Sequence, residues 1–143
     1  LKKVGGFSPL FFHYGEDVDY IHRMRFYGYR VGYTPLTSGC HDRQNRPITR
    51  ETQMKLDRVY YLSVVSDLNS GLAKCLWGGV LAPLKPGVLA LLRGRFKEFC
   101  FYTGTSVRLL CRYPSIAEIK RFCKQGRPVF LENVHSKIKP IWS

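Results

Sequence analysis

The sequence predicts a mostly helical chain of the α/β class with one short strand. Apolar residues recur at helical spacing in residues 16–27, and again from Thr49, which is placed to cap a helix, to about Leu68. Residues 30–34 alternate in polarity and end at Pro35, which is typical of a short strand. With 143 residues and 45% hydrophobic residues, the chain fits one domain with a core of its own and is not a disordered segment.

The middle of the chain is its most apolar part. Residues 72–92 are almost wholly apolar, with interruptions at Lys74, Pro83, Lys85 and Pro86. A membrane-spanning helix needs about 20 predominantly apolar residues, and two prolines and two lysines argue against one here. The sequence favours two short helices instead, one ending before Pro83 and one starting after Pro86.

The C-terminal third predicts further helices separated by breaks. A break is expected near Gly104, where a mixed apolar and basic segment gives way to a shorter one. Ser115 and Glu118 have the spacing of a capping box, which predicts a new helix start and a helix that runs to about Lys124. The last residues, 127–143, are expected to form an irregular tail.

The chain is strongly basic, with 23 Lys and Arg against 10 acidic residues and a formal net charge of +13. Such an excess is typical of proteins that meet nucleic acid, anionic membrane surfaces or phosphorylated ligands, and also of ordinary basic surfaces. No nucleic-acid-binding motif of known spacing occurs, so nucleic acid is not expected as a partner. The basic and apolar residues of 72–112 fit a segment lying in a membrane interface, and equally a helical core with basic edges.

The cysteines indicate neither a zinc site nor a redox motif. They are odd in number, widely spaced and never arranged as Cys-x-x-Cys. We expect most of them to be small buried residues in a reducing compartment. The five are Cys40, Cys75, Cys100, Cys111 and Cys123.

A stretch rich in glycines, aromatic residues and carboxylates lies near the start of the chain. Three carboxylates, Glu16, Asp17 and Asp19, fall within four residues where a loop is expected to become a helix. Capping of the helix N-terminus is one interpretation of the first two, because unpaired N–H groups and the helix dipole favour negative charge there. Asp19 is expected to form an i, i+4 salt bridge with Arg23.

The residues around the carboxylates suggest more than capping. Gly15 would let the backbone approach another group closely. The aromatic side chains Phe11, Phe12 and Tyr14 would exclude water and raise the basicity of a neighbouring carboxylate. On the predicted helix, Val18 and Ile21 fall on the apolar face, with His22, Arg23 and Arg25 on the opposite side.

An ordered series of motifs resembles a known family. Gly-Gly-Phe is followed by Phe-Phe, Gly-Glu-Asp-Val-Asp, an Arg, Gly-Tyr, Tyr-x-Pro and a His. This series is similar to the second half of the catalytic domain of family 2 glycosyltransferases, which are inverting enzymes of the GT-A fold. The match covers roughly the first 40 residues well and the following helical region loosely. The matching residues are Gly5, Gly6, Phe7, Phe11, Phe12, Glu16, Asp17, Asp19, Arg23, Gly28, Tyr29, Tyr33, Pro35 and His41.

The resemblance implies a domain organisation. The chain would be the C-terminal half of a GT-A domain, with residues 1–48 on the acceptor and base side and 49–143 as a helical C-terminal extension. A nucleotide-binding half with an Asp-x-Asp metal motif would precede it. The isolated chain is therefore expected to bind donor poorly and to turn over little or nothing.

The resemblance also implies roles for the first motif residues. Asp17 would be the general base that takes the proton of the acceptor hydroxyl, and Glu16 would orient the acceptor or hold the loop. A single displacement inverts the anomeric carbon, so one base suffices. Gly5, Gly6 and Phe7 would form the acceptor-side loop next to the donor sugar, although an ordinary tight turn accounts for the glycines as well.

A second group of implied roles follows the strand. His41 would help to ligate a divalent Mg or Mn ion, held mostly by the missing N-terminal half, unless it is simply a hydrogen-bonded loop residue. Arg43 and Arg46, with Arg50 beside them, would contact the diphosphate, because planar guanidinium groups match paired oxygens. Processive members of the family carry Gln-x-x-Arg-Trp here, whereas this chain has Gln44-Asn45-Arg46-Pro47, which favours transfer of one or a few sugars.

Taken together, these features predict an inverting glycosyltransferase. It would move a sugar from a nucleotide-diphosphate donor to a glycan or lipid-linked acceptor, in bacterial surface-polysaccharide biosynthesis. It would work in the cytoplasm, with possible peripheral contact at the inner face of the cell membrane. The alternative is a basic helical module that docks on anionic lipid or another partner without catalysis.

Overall fold

The computed structural model describes residues 3–11, 14–32, 34–36 and 47–126, and this part of the chain is mostly helical. Residues 30–32 and 34 do not form the expected strand, and Tyr33 lies outside the described residues. A strand needs a neighbouring strand for its backbone hydrogen bonds, and the described residues contain none. The elements are α1 (Glu16–Phe26), α2 (Arg50–Ser66), α3 (Leu72–Lys74), a π-helix (Cys75–Leu81), α4 (Leu84–Leu92) and α5 (Phe96–Lys124).

Helix α1 forms where the sequence predicts it, but its buried face is the opposite of the expected one. Val18 and Ile21 are 40% and 37% exposed, whereas Asp19 and Arg23 are almost fully buried. The prediction of an apolar inner face was therefore wrong. The two opposite charges pair with each other, so the helix buries them as a unit rather than as two isolated ions.

Helix α2 confirms the predicted helix and supplies much of the core. The Thr49 side chain caps it by accepting a hydrogen bond from the Thr52 N–H at 3.2 Å. Leu62 and Val65 of α2 are fully buried, and residues of the N-terminal loop, the π-helix and α5 pack around them. The core cluster comprises Leu10, Phe11, Leu62, Val65, Leu68, Val80, Leu109, Ile116, Ile119 and Cys123.

The apolar stretch 72–92 is more continuous than expected. Pro83 separates the π-helix from α4 as predicted, but α4 begins at Leu84, so Pro86 lies in its first turn. Proline is tolerated there because the first N–H groups of a helix have no partner within the helix. By length and composition alone, the span Leu72–Leu92 is long and apolar enough to cross a membrane; its most apolar 18-residue window has a mean hydropathy of 1.6, and a third of that window is buried.

Helix α5 is a single helix of 29 residues, so the expected break near Gly104 and the helix start at Ser115 were both wrong. The helix continues through Pro114 on its exposed side, and the residue four positions earlier, Leu110, is also exposed. Water can therefore reach the carbonyl that proline leaves without a donor, which lowers the cost of the interruption. The predicted end at Lys124 is confirmed.

Gly15 fixes the approach of α1 to α2, as its sequence position suggested. It precedes α1 with φ of 84°, and an added methyl group would lie 2.4 Å from Val59 Cγ1. Replacing Gly15 with Ala is expected to lower the free energy of unfolding by about 3 kcal/mol, which combines the left-handed backbone with overpacking. Urea denaturation of the purified chain measures this loss.

Gly28 provides the matched control for that variant. It has φ of 79°, but an added methyl group would meet nothing within 4 Å. Gly28→Ala should therefore cost only about 1 kcal/mol, from the backbone conformation alone. Equal losses in the two variants would show that the contact between Gly15 and Val59 does not limit the packing of α1.

Candidate active site at the start of α1

Asp17 lies in the first turn of α1 with its side chain exposed to solvent. Its Oδ1 accepts a hydrogen bond from the Val18 N–H at 2.8 Å. Unpaired N–H groups and the helix dipole favour an acidic side chain at this position. The carboxylate is therefore accessible to a ligand and held near the end of a helix.

Glu16 differs from Asp17 in its surroundings. Its side chain is half-buried, and its Oε2 is buried without a hydrogen-bond donor among the residues that the structure describes. A buried carboxylate oxygen without a donor loses hydration that nothing replaces. The arrangement tests neither expected role of Glu16, which stays a prediction.

A buried ion pair organises the site. Arg23 donates from its Nε to Asp19 Oδ2 at 2.9 Å, and both side chains are at most 5% exposed. Burial raises the pKa of Asp19, while the charge and hydrogen bond of Arg23 act in the opposite direction. The expected salt bridge is confirmed, although its burial was not expected.

Arg23 also reaches the loop that precedes the helix. One guanidinium nitrogen donates to the Val4 carbonyl and another to the Gly6 carbonyl, the latter at 2.7 Å. The loop at Gly5 and Gly6 is thus fixed to the same helix that carries Asp17. Sequence reasoning treated Arg23 as a partner of Asp19 only, and no feature of the sequence alone indicated the contacts to the loop carbonyls.

The loop itself presents an open surface. Phe7 is 63% exposed and lies against Tyr20 of α1, with ring centroids 5.6 Å apart. A side chain added at Gly6 would meet nothing within 4 Å. The three loop residues predicted to bind substrate are thus brought to α1, and the surface beside them is accessible.

Among the described residues, the predicted aromatic side chains do not keep Asp17 from solvent, since Asp17 is exposed. Phe11 is 8% exposed and belongs to the hydrophobic core, and Tyr14 is 39% exposed. Phe12 lies outside the described residues. Phe11 packs with core residues of α2 and α5, so it is part of the hydrophobic core and does not exclude water from Asp17.

The residues predicted to contact the metal ion and the diphosphate form the second group. His41, Arg43 and Arg46 fall in residues 37–46, outside the described part of the chain. Arg50 is described, and it forms a bidentate pair with Glu98 at 2.5 and 2.6 Å. These hydrogen bonds lower the pKa of Glu98 and tie the start of α2 to α5, so the described Arg50 has a structural contact rather than an open guanidinium.

The described residues around Asp17 contain no metal-binding cluster. Within residues 3–11, 14–32, 34–36 and 47–126, no three His, Cys, Asp or Glu side chains are grouped as metal ligands. A shallow depression of about 570 Å³ lies along α5 and includes no residue of α1. Its lining residues are Phe99, Cys100, Thr103, Gly104, Val107, Arg108 and Cys111.

No protein-family model, curated protein or solved structure matches this chain. The family resemblance therefore rests on the ordered motif residues alone. Of the three carboxylates at the start of α1, Asp19 is neutralised in the interior and Glu16 is half-buried. Asp17 is the exposed one.

Proposed function

We propose that the chain is the C-terminal portion of an inverting family 2 glycosyltransferase of the GT-A fold. It would transfer a sugar from a nucleotide-diphosphate donor to a hydroxyl group of a glycan or lipid-linked acceptor. The observation that carries the proposal is the different burial of the carboxylates of α1. Asp19 pairs with Arg23 in the interior, while Asp17 is exposed in the first turn of the same helix.

The proposed reaction is a single displacement. As the acceptor oxygen attacks the anomeric carbon, its proton passes to the Asp17 carboxylate, and the bond between that carbon and the diphosphate oxygen breaks. The bonding electrons leave with the diphosphate, and the anomeric configuration inverts. Asp17 supports this role because its carboxylate is exposed and anchored through one oxygen to the Val18 N–H.

The buried ion pair gives the base a fixed position relative to the loop. Arg23 links the Gly6 carbonyl to α1, the helix that carries Asp17 in its first turn. Precise positioning of a base and its substrate supplies much of the rate gain in such reactions. The arrangement supports the proposal because it places the loop at Gly6 beside the helix that carries the proposed base.

The resemblance also implies a divalent metal ion at the diphosphate. The described residues do not supply a set of ligands for it, and His41 lies outside them. Among the described residues, Asp17 would activate the acceptor, and no step of the reaction is assigned to the metal.

A transfer assay tests this function. The full-length protein is incubated with nucleotide-diphosphate sugars, candidate acceptors and Mg²⁺ or Mn²⁺, and NMR determines the anomeric configuration of the product. We expect acceptor-dependent release of nucleoside diphosphate and a product inverted relative to the donor. A product of retained configuration, or no transfer from any donor, would contradict the proposal, and so would robust transfer by residues 1–143 alone.

A further inference from the structure

The stretch Leu72–Leu92 has one face packed on protein and one face exposed. Cys75, Gly79 and Val80 are buried in the π-helix, as are Gly87 and Ala90 in α4. The exposed side is mostly apolar, with Lys74 and Lys85 as its charged residues, and six of its large side chains follow one another at spacings of three and four residues before ending at a neighbouring pair. They are Trp77, Leu81, Leu84, Val88, Leu91 and Leu92, which we call the apolar face.

The exposure of this face is high for side chains of this kind. Trp77 is 73% exposed and Leu92 is 78% exposed, while Val88 is 51% exposed. Contiguous exposed apolar patches are uncommon on soluble proteins and mark sites of contact with proteins, ligands or membranes.

The charges around the apolar face select among these partners. Residues 71–97 contain five cationic side chains and no carboxylate. Lys74 Nζ lies 3.9 Å from Asp67 Oδ2 and Arg95 Nη1 lies 3.4 Å from Glu98 Oε1, while Lys85, Arg93 and Lys97 are exposed. The excess of cations along this stretch favours an anionic surface and disfavours a basic protein partner. The five are Lys74, Lys85, Arg93, Arg95 and Lys97.

We propose that the apolar face docks in the plane of an anionic phospholipid bilayer. The aliphatic side chains enter the acyl boundary, and the flanking lysines and arginines bind lipid phosphates. Trp77 suits the interface between headgroups and acyl chains, where an apolar ring with one N–H donor is favoured. This inference is independent of sugar transfer, since it uses no residue of α1.

The packed face indicates docking rather than spanning. An added methyl group at Gly79 would lie 2.2 Å from Val65 Cγ2, and one at Gly87 would lie 3.3 Å from Tyr102 Cβ. Ser106 of α5 also donates a hydrogen bond to the Val80 carbonyl. A spanning helix would have to leave α2 and α5 and break these contacts, whereas a helix lying in the interface keeps all of them.

Vesicle sedimentation tests the docking with a pair of matched variants. Leu92→Glu places a charge on the apolar face at a residue that is 78% exposed, and Leu36→Glu places the same charge outside that face at a residue that is 79% exposed. With vesicles containing about 30 mol% phosphatidylglycerol, we expect Leu92→Glu to weaken binding at least about tenfold and Leu36→Glu to leave it unchanged. Equal effects of the two variants, or no binding of the unchanged chain, would overturn the proposal.

Salt and fluorescence provide two further readouts. About 1 M NaCl should release most of the chain from anionic vesicles, and binding to neutral phosphatidylcholine vesicles should be weaker by about tenfold or more. In a Trp142→Phe background, the emission of Trp77 should shift to shorter wavelength on anionic vesicles. Binding that resists both salt and alkaline carbonate would indicate a spanning helix, and an unchanged Trp77 emission would place the contact elsewhere; either result would contradict the proposal.

Discussion

Replacing Arg23 with Met is expected to destabilise the chain by about 3–5 kcal/mol, because it leaves a buried carboxylate without its partner. Asp19 is 4% exposed, and it accepts hydrogen bonds from the Nε of Arg23 at 2.9 Å and from the Ser66 hydroxyl at 3.5 Å. The same substitution removes the donors to the Val4 and Gly6 carbonyls. Urea denaturation followed by circular dichroism measures the loss of stability.

Arg25→Met is the matched control on the same helix. Arg25 is exposed, so its replacement should change the free energy of unfolding by less than about 0.5 kcal/mol. The double variant Asp19→Leu with Arg23→Met should regain part of the lost stability, since it removes both buried charges. Similar losses for Arg23→Met and Arg25→Met would show that the ion pair does not organise the loop.

The helix boundaries show what local signals can predict. The carboxylates at the start of α1 and the Thr49 cap of α2 place both helix starts correctly. Each signal acts within one turn of the helix, so no knowledge of the rest of the chain is needed. The end of α5 at Lys124 is equally local, because Gly126 follows it with φ of 67°.

The errors concern signals that tertiary packing overrides. Ser115 and Glu118 match a capping box, but burial of Ile116 and Ile119 on the core side holds α5 in one continuous helix. In α1, the usual rule that charged residues face solvent assigned the wrong face, because pairing between Asp19 and Arg23 makes their burial tolerable. The polarity pattern of a sequence does not indicate which opposite charges pair with each other in the interior.

The candidate site could be predicted in part. The sequence places Gly5, Gly6, Phe7 and Asp17 in one motif, and the structure brings the loop and the helix together through Arg23. That connection spans 17 residues of sequence, and its acceptors are backbone carbonyls, which carry no residue-specific signal. The predicted roles of these residues in sugar transfer remain predictions.

If Asp17 is the proposed general base, Asp17→Asn should lower the sugar-transfer turnover of the full-length protein by about 10²–10⁴-fold, the usual contribution of such a group. The amide is close in shape to the carboxylate, and its oxygen can still accept the Val18 N–H hydrogen bond. The fold and the affinity for the donor should therefore be unchanged, and only the capacity to accept a proton is lost.

Glu51→Gln is the control for helix-terminal charge. Glu51 lies in the first turn of α2, and its side chain is 70% exposed. Its replacement also removes a carboxylate from a helix N-terminus, together with its ion pair to Lys55, so a small loss of stability is expected. If Asp17 only stabilises its helix, both variants should lose similar stability and neither should lose activity.

The most direct test of the account is the turnover number of Asp17→Asn measured beside Glu51→Gln, with donor affinity determined on the same preparations. The account predicts that Asp17→Asn binds donor normally and loses at least about a hundredfold in turnover, while Glu51→Gln retains the unmodified rate. A turnover number for Asp17→Asn within about twofold of the unmodified enzyme would contradict it.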